Sequence, residues 1–293
     1  MRDMKKVLVL GATGMLGSAC YKVIAESSSL SVEGTSRTLD DSFTQMNAED
    51  LKQVRTVITN TRPDYVVNCI GIIKPHISEK DPASVMRAIS INSEFPIFLA
   101  GLASEADFNV IQIATDCVYS GKKGSYTEID QHDATDVYGK TKSLGEVPSE
   151  NFLHLRASII GPEFGRSTSL LEWFRNQPKE SELNGFEDHI WNGITTYQFA
   201  RLARGLIESE SNIFGIRHLV PANRVSKYDL LKIFSEVYDR NDIEIKKITS
   251  SSFIDRTLET EDKDLNREIW NIGGYSSLPT IAEMVSEQAL AYS

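Results

Sequence analysis

The sequence predicts an α/β protein: a doubly wound parallel sheet over residues 1–161, followed by a smaller C-terminal region over 162–293. Three observations predict it. Strand and helix patterns alternate through the first half, the first strand ends in a glycine-rich turn, and the alternation lapses beyond residue 161. Repeated β–α–β succession implies right-handed crossovers, and so a parallel sheet with helices on both faces. A chain of 293 residues is long enough for one large domain with an addition.

The elements follow in order. KKVLVLG (5–11) is an apolar run that reads as a buried strand. Residues 14–26 place Leu16, Ala19, Cys20 and Val23 on one helical face, and SVEGTS (31–36) is a short second strand. Residues 50–60 carry Leu51, Val54 and Ile58 at helical spacing until Arg62-Pro63-Asp64 breaks the helix, and YVVNCIG (65–71) is the next strand. Asp81-Pro82 opens a long helical stretch to about Ala106, FNVIQIAT (108–115) is a strand, and a helix begins near Asp136. FLHLRASIIG (152–161) closes the series.

Beyond it, a loop at 161–169 leads to an apolar helix with Leu170, Leu171, Trp173 and Phe174. Residues 195–209 form an amphipathic helix, 216–220 and 243–248 read as strands, and 280–292 is a closing helix. Ser226 is a candidate N-cap for the helix that follows, with Asp229 three residues on. The segment about 190–215 is expected to return to the first domain, leaving the rest of 162–293 mainly to substrate binding.

Composition narrows the function. The chain is 41% hydrophobic and 25% charged, ordinary for a globular protein, and its net charge of -10 argues against broad binding to nucleic acid or anionic membrane. No apolar run approaches the roughly 18–20 residues of a membrane span. Cys20, Cys69 and Cys117 are widely spaced and odd in number, so no disulfide framework follows and a reduced cytoplasmic compartment is expected. The five histidines show no ligand pairing, and no metal site is expected.

The first strand ends in Gly11-Ala12-Thr13-Gly14-Met15-Leu16-Gly17, a G-x-x-G-x-x-G turn before a helix. Such glycines allow a tight turn and a close approach of pyrophosphate to the free amides and positive dipole end of the helix. Gly17 lets that helix pack against the sheet, as in a dinucleotide-binding Rossmann unit. A strand–helix turn without a ligand is the plainer alternative. An acid at the end of the second strand would hold adenosine ribose hydroxyls, yet Gly34-Thr35-Ser36-Arg37-Thr38 has none before Asp40. Arg37 would instead pair with a 2′-phosphate, unless it is simply a solvated arginine. The expected cofactor is NADPH, with NADH as the alternative.

Tyr138 and Lys142 stand four residues apart at the start of a predicted helix, which puts both on one face. A neighbouring ammonium is expected to stabilise the phenolate and bring the tyrosine into range as an acid–base group. They follow Thr115, at the carboxyl end of a strand, the edge where ligands bind in open α/β sheets.

GATGMLG, VVNCIG, IATDCVYSG and VYGKTKSLGE, in this order, resemble the extended short-chain dehydrogenase/reductases. TDCVYSG, SYTEIDQ, VYGKTKSLGE, LRASIIG and SKYDLL resemble the dTDP-4-dehydrorhamnose reductase family more closely, strongly over 1–165 and more loosely beyond. The resemblance implies that Thr115 hydrogen-bonds the substrate oxygen, that Tyr138 protonates it, and that Lys142 binds the nicotinamide ribose. It implies that Asn68 and Cys69 line the cofactor cleft, that Gly71 admits a close backbone approach, and that Asn92 supports the site. Gly11, Thr13, Gly14, Met15, Leu16 and Gly17 would meet the cofactor pyrophosphate.

Arg156 would contact cofactor or substrate phosphates, or else form a structural ion pair. Asp116, Glu163 and Trp191 are candidates for the substrate pocket, along with Trp173, Asn192 and Thr195. Trp173 at helical spacing with Leu170 reads more simply as core, and His132 as a solvated loop residue. Dehydratases of the superfamily carry Asp-Glu after the catalytic threonine, where this chain has Asp116-Cys117.

The expected reaction is therefore reduction of a 4-keto-deoxysugar nucleotide. An epimerase on the same scaffold and a nucleotide-binding regulatory subunit without turnover are the alternatives, and a homodimer is an assembly the reading allows.

Overall fold

The computed structural model describes residues 4–163 and 169–292; the rest of the loop expected at 161–169 lies outside the described residues. Strands β1 (Lys5–Leu10) and β2 (Leu30–Ser36) flank helix α1 (Met15–Ala25), and the short β3 (Thr44–Gln45) follows. Helix α2 (Leu51–Thr61) leads to β4 (Tyr65–Asn68). Helices α3 (Pro82–Ile89) and α4 (Phe95–Ala106) precede β5 (Asn109–Ala114), and α5 (Val137–Leu144) precedes β6 (Phe152–Arg156). Then come β7 (Ile159–Ile160), α6 (Leu170–Arg175), β8 (Glu182–Phe186), β9 (His189–Trp191), β10 (Ile194–Thr195) and α7 (Thr196–Glu208). The chain ends with β11 (Gly215–His218), β12 (Val225–Ser226), α8 (Lys227–Val237), β13 (Glu244–Ile248), β14 (Ile254–Asp255), α9 (Lys263–Ile272) and α10 (Ile281–Ala291).

Seven strands form one parallel sheet in the order β11-β6-β5-β4-β1-β2-β3. The order reverses between β1 and β4, and this switch point opens a crevice beyond the carboxyl ends of the strands. Two apolar layers bury the sheet. One holds Val7, Val9, Leu16, Cys20, Phe199 and Leu202, and the other Leu8, Leu10, Val54, Phe95, Leu99 and Val110. Helix α7 packs against α1, and β11 pairs with β6, so residues after 190 join the first sheet.

Two departures from the sequence reading have clear causes. The long helix expected to about Ala106 is interrupted by a π-helical turn at Ser90–Glu94. Pro96 has no N–H to give the Asn92 carbonyl, so the regular ladder cannot continue there. Helix α9 lay unread, although Asp262 caps it by accepting from the Leu265 amide and it buries Asn266, Ile269 and Trp270 on one face.

Beyond the large sheet, β12 pairs antiparallel with β9, bringing Val225 opposite Trp191. The capping box at Ser226 and Asp229 is formed, fixing the first turn of α8; such a cap contributes about 1 kcal/mol. Among the described residues, no helix is long and apolar enough to cross a membrane.

Candidate active site

A cavity of about 420 Å³ opens at the switch point, within the range of small-molecule clefts. On one side stand Gly14, Met15 and Leu16 at the start of α1, with Cys69 and Gly71 after β4. Thr115, Asp116 and Cys117 follow β5, and Tyr138 and Lys142 project from α5. The far wall carries Glu163, Trp191 and Lys227.

The glycine turn is shaped as its sequence requires. Gly11 has φ +78°, the left-handed region that glycine enters without a Cβ penalty. A Cβ on Gly17 would lie 2.0 Å from the Gly11 carbonyl oxygen, so only glycine lets α1 start this close to β1. Helix α1 has no side-chain cap and no acid in its first turn, which leaves its positive end open toward the cavity. Thr13 is exposed on this turn, and Arg37 is exposed at the end of β2.

The catalytic candidates converge. Asp136 caps α5 by accepting from the Gly139 amide at 2.7 Å, which sets the turn carrying Tyr138. The Cβ that Gly139 lacks would meet the Cys117 carbonyl at 2.3 Å, so α5 lies directly on the Thr115 loop. The Thr115 and Tyr138 side chains face each other in the cavity. The Thr115 hydroxyl accepts from the Cys117 amide at 3.1 Å and donates to Asp116 at 3.3 Å. Lys142 donates to the Ile113 carbonyl at 3.4 Å. Asn92, on the π-helical turn, accepts from the Ile72 amide at 2.9 Å and donates to Thr141 at 3.2 Å, tying the loop after β4 to α5.

The electrostatics correct one expectation. Burial, with the neighbouring Cys117 and Asp116, pushes the Tyr138 phenol up rather than down, opposed by the Thr115 hydrogen bond. Burial likewise pushes Lys142 down, opposed by the Glu146 carboxylate. Withdrawal from water therefore outweighs the expected lysine effect, and Tyr138 is a protonated phenol at neutral pH. Burial, reinforced by Asp116, pushes the Cys117 thiol up to about 12, so it too is neutral.

Several candidates stand elsewhere. Asn68 is buried away from the cavity, donating to Gln112 at 2.7 Å and accepting from the Ile70 amide at 3.1 Å. It shapes the cleft floor rather than lining it. Arg156 is fully buried and paired with Glu146, while donating to Tyr119 at 2.8 Å, His218 at 2.6 Å and His132 at 2.9 Å. Its five donors are taken up in this network, so the structural ion pair is what forms and Arg156 does not face the ligand. His132 belongs to the same network and donates to Ser143 at 2.6 Å, which corrects its reading as a solvated loop residue. Asn192 is spent on the Leu258 backbone, and Thr195 caps α7. Trp173 is 39% exposed rather than core, because the six-residue α6 turns Leu171 and Phe174 inward instead.

Lys227 escaped the sequence reading. It is the first residue of α8, and its Nζ lies 5.2 Å from the centre of the Trp191 ring. Burial pushes it down to about 8, opposed chiefly by the Asp116 carboxylate and reinforced by Arg256. Its segment, SKYDLL, carries a cap and a family resemblance in the sequence, neither of which points to the lysine.

The family model described as "RmlD substrate binding domain" matches residues 4–290. Over 260 residues the chain is 27% identical to the Methionine adenosyltransferase 2 subunit beta of Rattus norvegicus, covering 85% of this chain and 77% of that protein. It is 25% identical over 266 residues to the dTDP-4-dehydrorhamnose reductase of Aggregatibacter actinomycetemcomitans, covering 85% and 86%. The dTDP-4-dehydrorhamnose reductase of Bacillus anthracis, solved in complex with NADP, shares the fold at TM-score 0.77 and 16% identity, covering 99% of this chain and 100% of that one.

Proposed function

We propose that this chain, which belongs to the RmlD substrate binding domain family, is an NADPH-dependent reductase of a 4-keto-deoxysugar nucleotide. The observation that carries the reading is the convergence of Thr115, Tyr138 and Lys142 on one cavity with the open start of α1. NADPH would supply the hydride. The glycine turn and α1 amides would hold its pyrophosphate, Arg37 its 2′-phosphate, and Lys142 its ribose, with Gly71 leaving room beside the lysine. Complexes of similar folds with NADP or NAD support a nicotinamide cofactor, and the absence of an acid at the end of β2 before Asp40 favours NADPH.

Reduction of a ketone requires a proton at the oxygen as hydride reaches carbon. Tyr138, held as a neutral phenol by burial, is in the protonation state that can donate it. The Thr115 hydroxyl adjoins the phenol and would orient the same oxygen, stabilising developing alkoxide charge in a site sheltered from water. Cys117, neutral up to about 12, is a poor base for the proton abstraction that elimination needs. That supports reduction over dehydration.

The relatives named Methionine adenosyltransferase 2 subunit beta favour a second reading, a subunit that binds nucleotide without turnover. One screen separates the readings. The purified chain is mixed with NADPH and a panel of 4-keto nucleotide sugars, and absorbance at the reduced-nicotinamide band is followed. Stoichiometric NADPH consumption with at least one sugar is expected. Binding without consumption across the panel supports the subunit reading, and product formed without net consumption marks an epimerase.

A further inference from the structure

The wall of the cavity opposite the glycine turn carries a charge arrangement that the reduction chemistry does not use. Lys227 enters the cavity from the start of α8 and lies over Trp191, which the β9–β12 pairing sets beside it. A cation at a helix N-terminus stands at the positive end of the dipole, where packing alone would not select it. Arg256 comes from the segment after β14, anchored by donating to the Tyr119 carbonyl at 2.9 Å. Both cations act on Asp116, the carboxylate next to the catalytic threonine. Trp191 is only 4% exposed, and its indole N–H has no hydrogen-bond partner among the described residues.

Asp136, another carboxylate on which Arg256 acts, is engaged by Lys74 at 2.8 Å and by the Gly139 amide at 2.7 Å. Cys117 is a neutral thiol, and Asp229 is engaged in the cap of α8. Glu163 lines the same cavity, and its carboxylate accepts from the Ser169 amide at 2.7 Å. Lys227 and Arg256 thus share Asp116, beside a buried donor without an acceptor among the described residues.

We propose that Lys227, braced by Asp116 and the Trp191 ring, is the seat for an anionic oxygen of the nucleotide-sugar substrate, either a phosphoryl oxygen of its diphosphate or a carboxylate on its sugar. The seat rests on the nucleotide-sugar reading above. Anion binding repays the ammonium for its lost hydration, and Trp191 holds the flexible stem in place before the ligand arrives. Because burial sets Lys227 near 8, its charge, and with it the affinity, falls as pH rises through that value.

The test is calorimetric titration of the full chain with dTDP, UDP and UDP-glucuronate, for wild type, Lys227→Met and Lys227→Arg. Lys227→Met is expected to weaken binding by at least about tenfold, the worth of a charge-assisted hydrogen bond. A loss shared by all the nucleotides that bind assigns the seat to the diphosphate; a loss confined to UDP-glucuronate assigns it to a sugar carboxylate. Wild-type affinity should fall between pH 7 and 9.5, and Lys227→Arg should bind with a flat profile, because its guanidinium stays charged. Equal affinity of wild type and Lys227→Met for every probe that binds overturns the seat, as does a pH dependence unchanged in Lys227→Arg. A wild-type chain that binds none of the three overturns the nucleotide-sugar reading, and the seat with it.

Discussion

The two walls of the cavity are built differently. The wall that carries Thr115, Tyr138 and Lys142 comes from strand ends and one capped helix of the large sheet, each positioned by neighbours close in sequence. The opposite wall comes from Trp191, Lys227 and the nearby Arg256, brought together by the pairing of β12 and β14 with β9. The first wall holds the groups proposed for the reaction, and the second the groups that would choose what reacts.

Outside the cavity lining, the Arg156 network locks α5 to the sheet and to β11. Arg156 holds Glu146 just beyond α5, His132 bonds Ser143 within α5, and His218 donates from Nδ1 to the Glu259 carbonyl at 2.6 Å. Arg156→Met strands the buried Glu146 carboxylate and should cost roughly 3–5 kcal/mol, read as a lower midpoint in urea unfolding. The exposed pair Lys246–Glu182 makes the contrast: Lys246→Met should leave the midpoint where it was. Equal effects from the two substitutions would show that the junction is no stiffer than the surface.

A smaller effect should appear with acid. Burial holds His154 and His218 down to about 4, while an unfolded histidine titrates near 6.5. Between those values the unfolded chain binds more protons than the folded one, so stability falls as pH drops from 6.5 toward 4; above 6.5 the two histidines add no slope. Urea midpoints measured across that window should decline, and His154→Gln should remove its share of the slope. A slope identical in wild type and His154→Gln would contradict the assignment.

The same contrast explains what could be read from the sequence. The glycine turn, the strand alternation and the Tyr138–Lys142 spacing are local signals, and the fold and the placement of Tyr138 and Lys142 on one cavity follow from them. Arg156 could not be settled that way, because a buried guanidinium is defined by partners such as His218, 62 residues away. Lys227 is hidden for the same reason: its meaning comes from Trp191 and Asp116, and the cap and resemblance of its own segment do not single it out. The direction of the Tyr138 shift was also misread, since four-residue spacing carries the charge of Lys142 but not the burial that outweighs it.

The central claim is that Tyr138 is the proton donor in a ketone reduction carried out by the first wall. The direct measurement is kcat for NADPH consumption with the best 4-keto nucleotide sugar, in wild type and Tyr138→Phe. Loss of the phenolic proton should lower kcat by at least about 100-fold, with NADPH affinity within about twofold of wild type, since only one hydroxyl is removed. Turnover in Tyr138→Phe at the wild-type rate would contradict it.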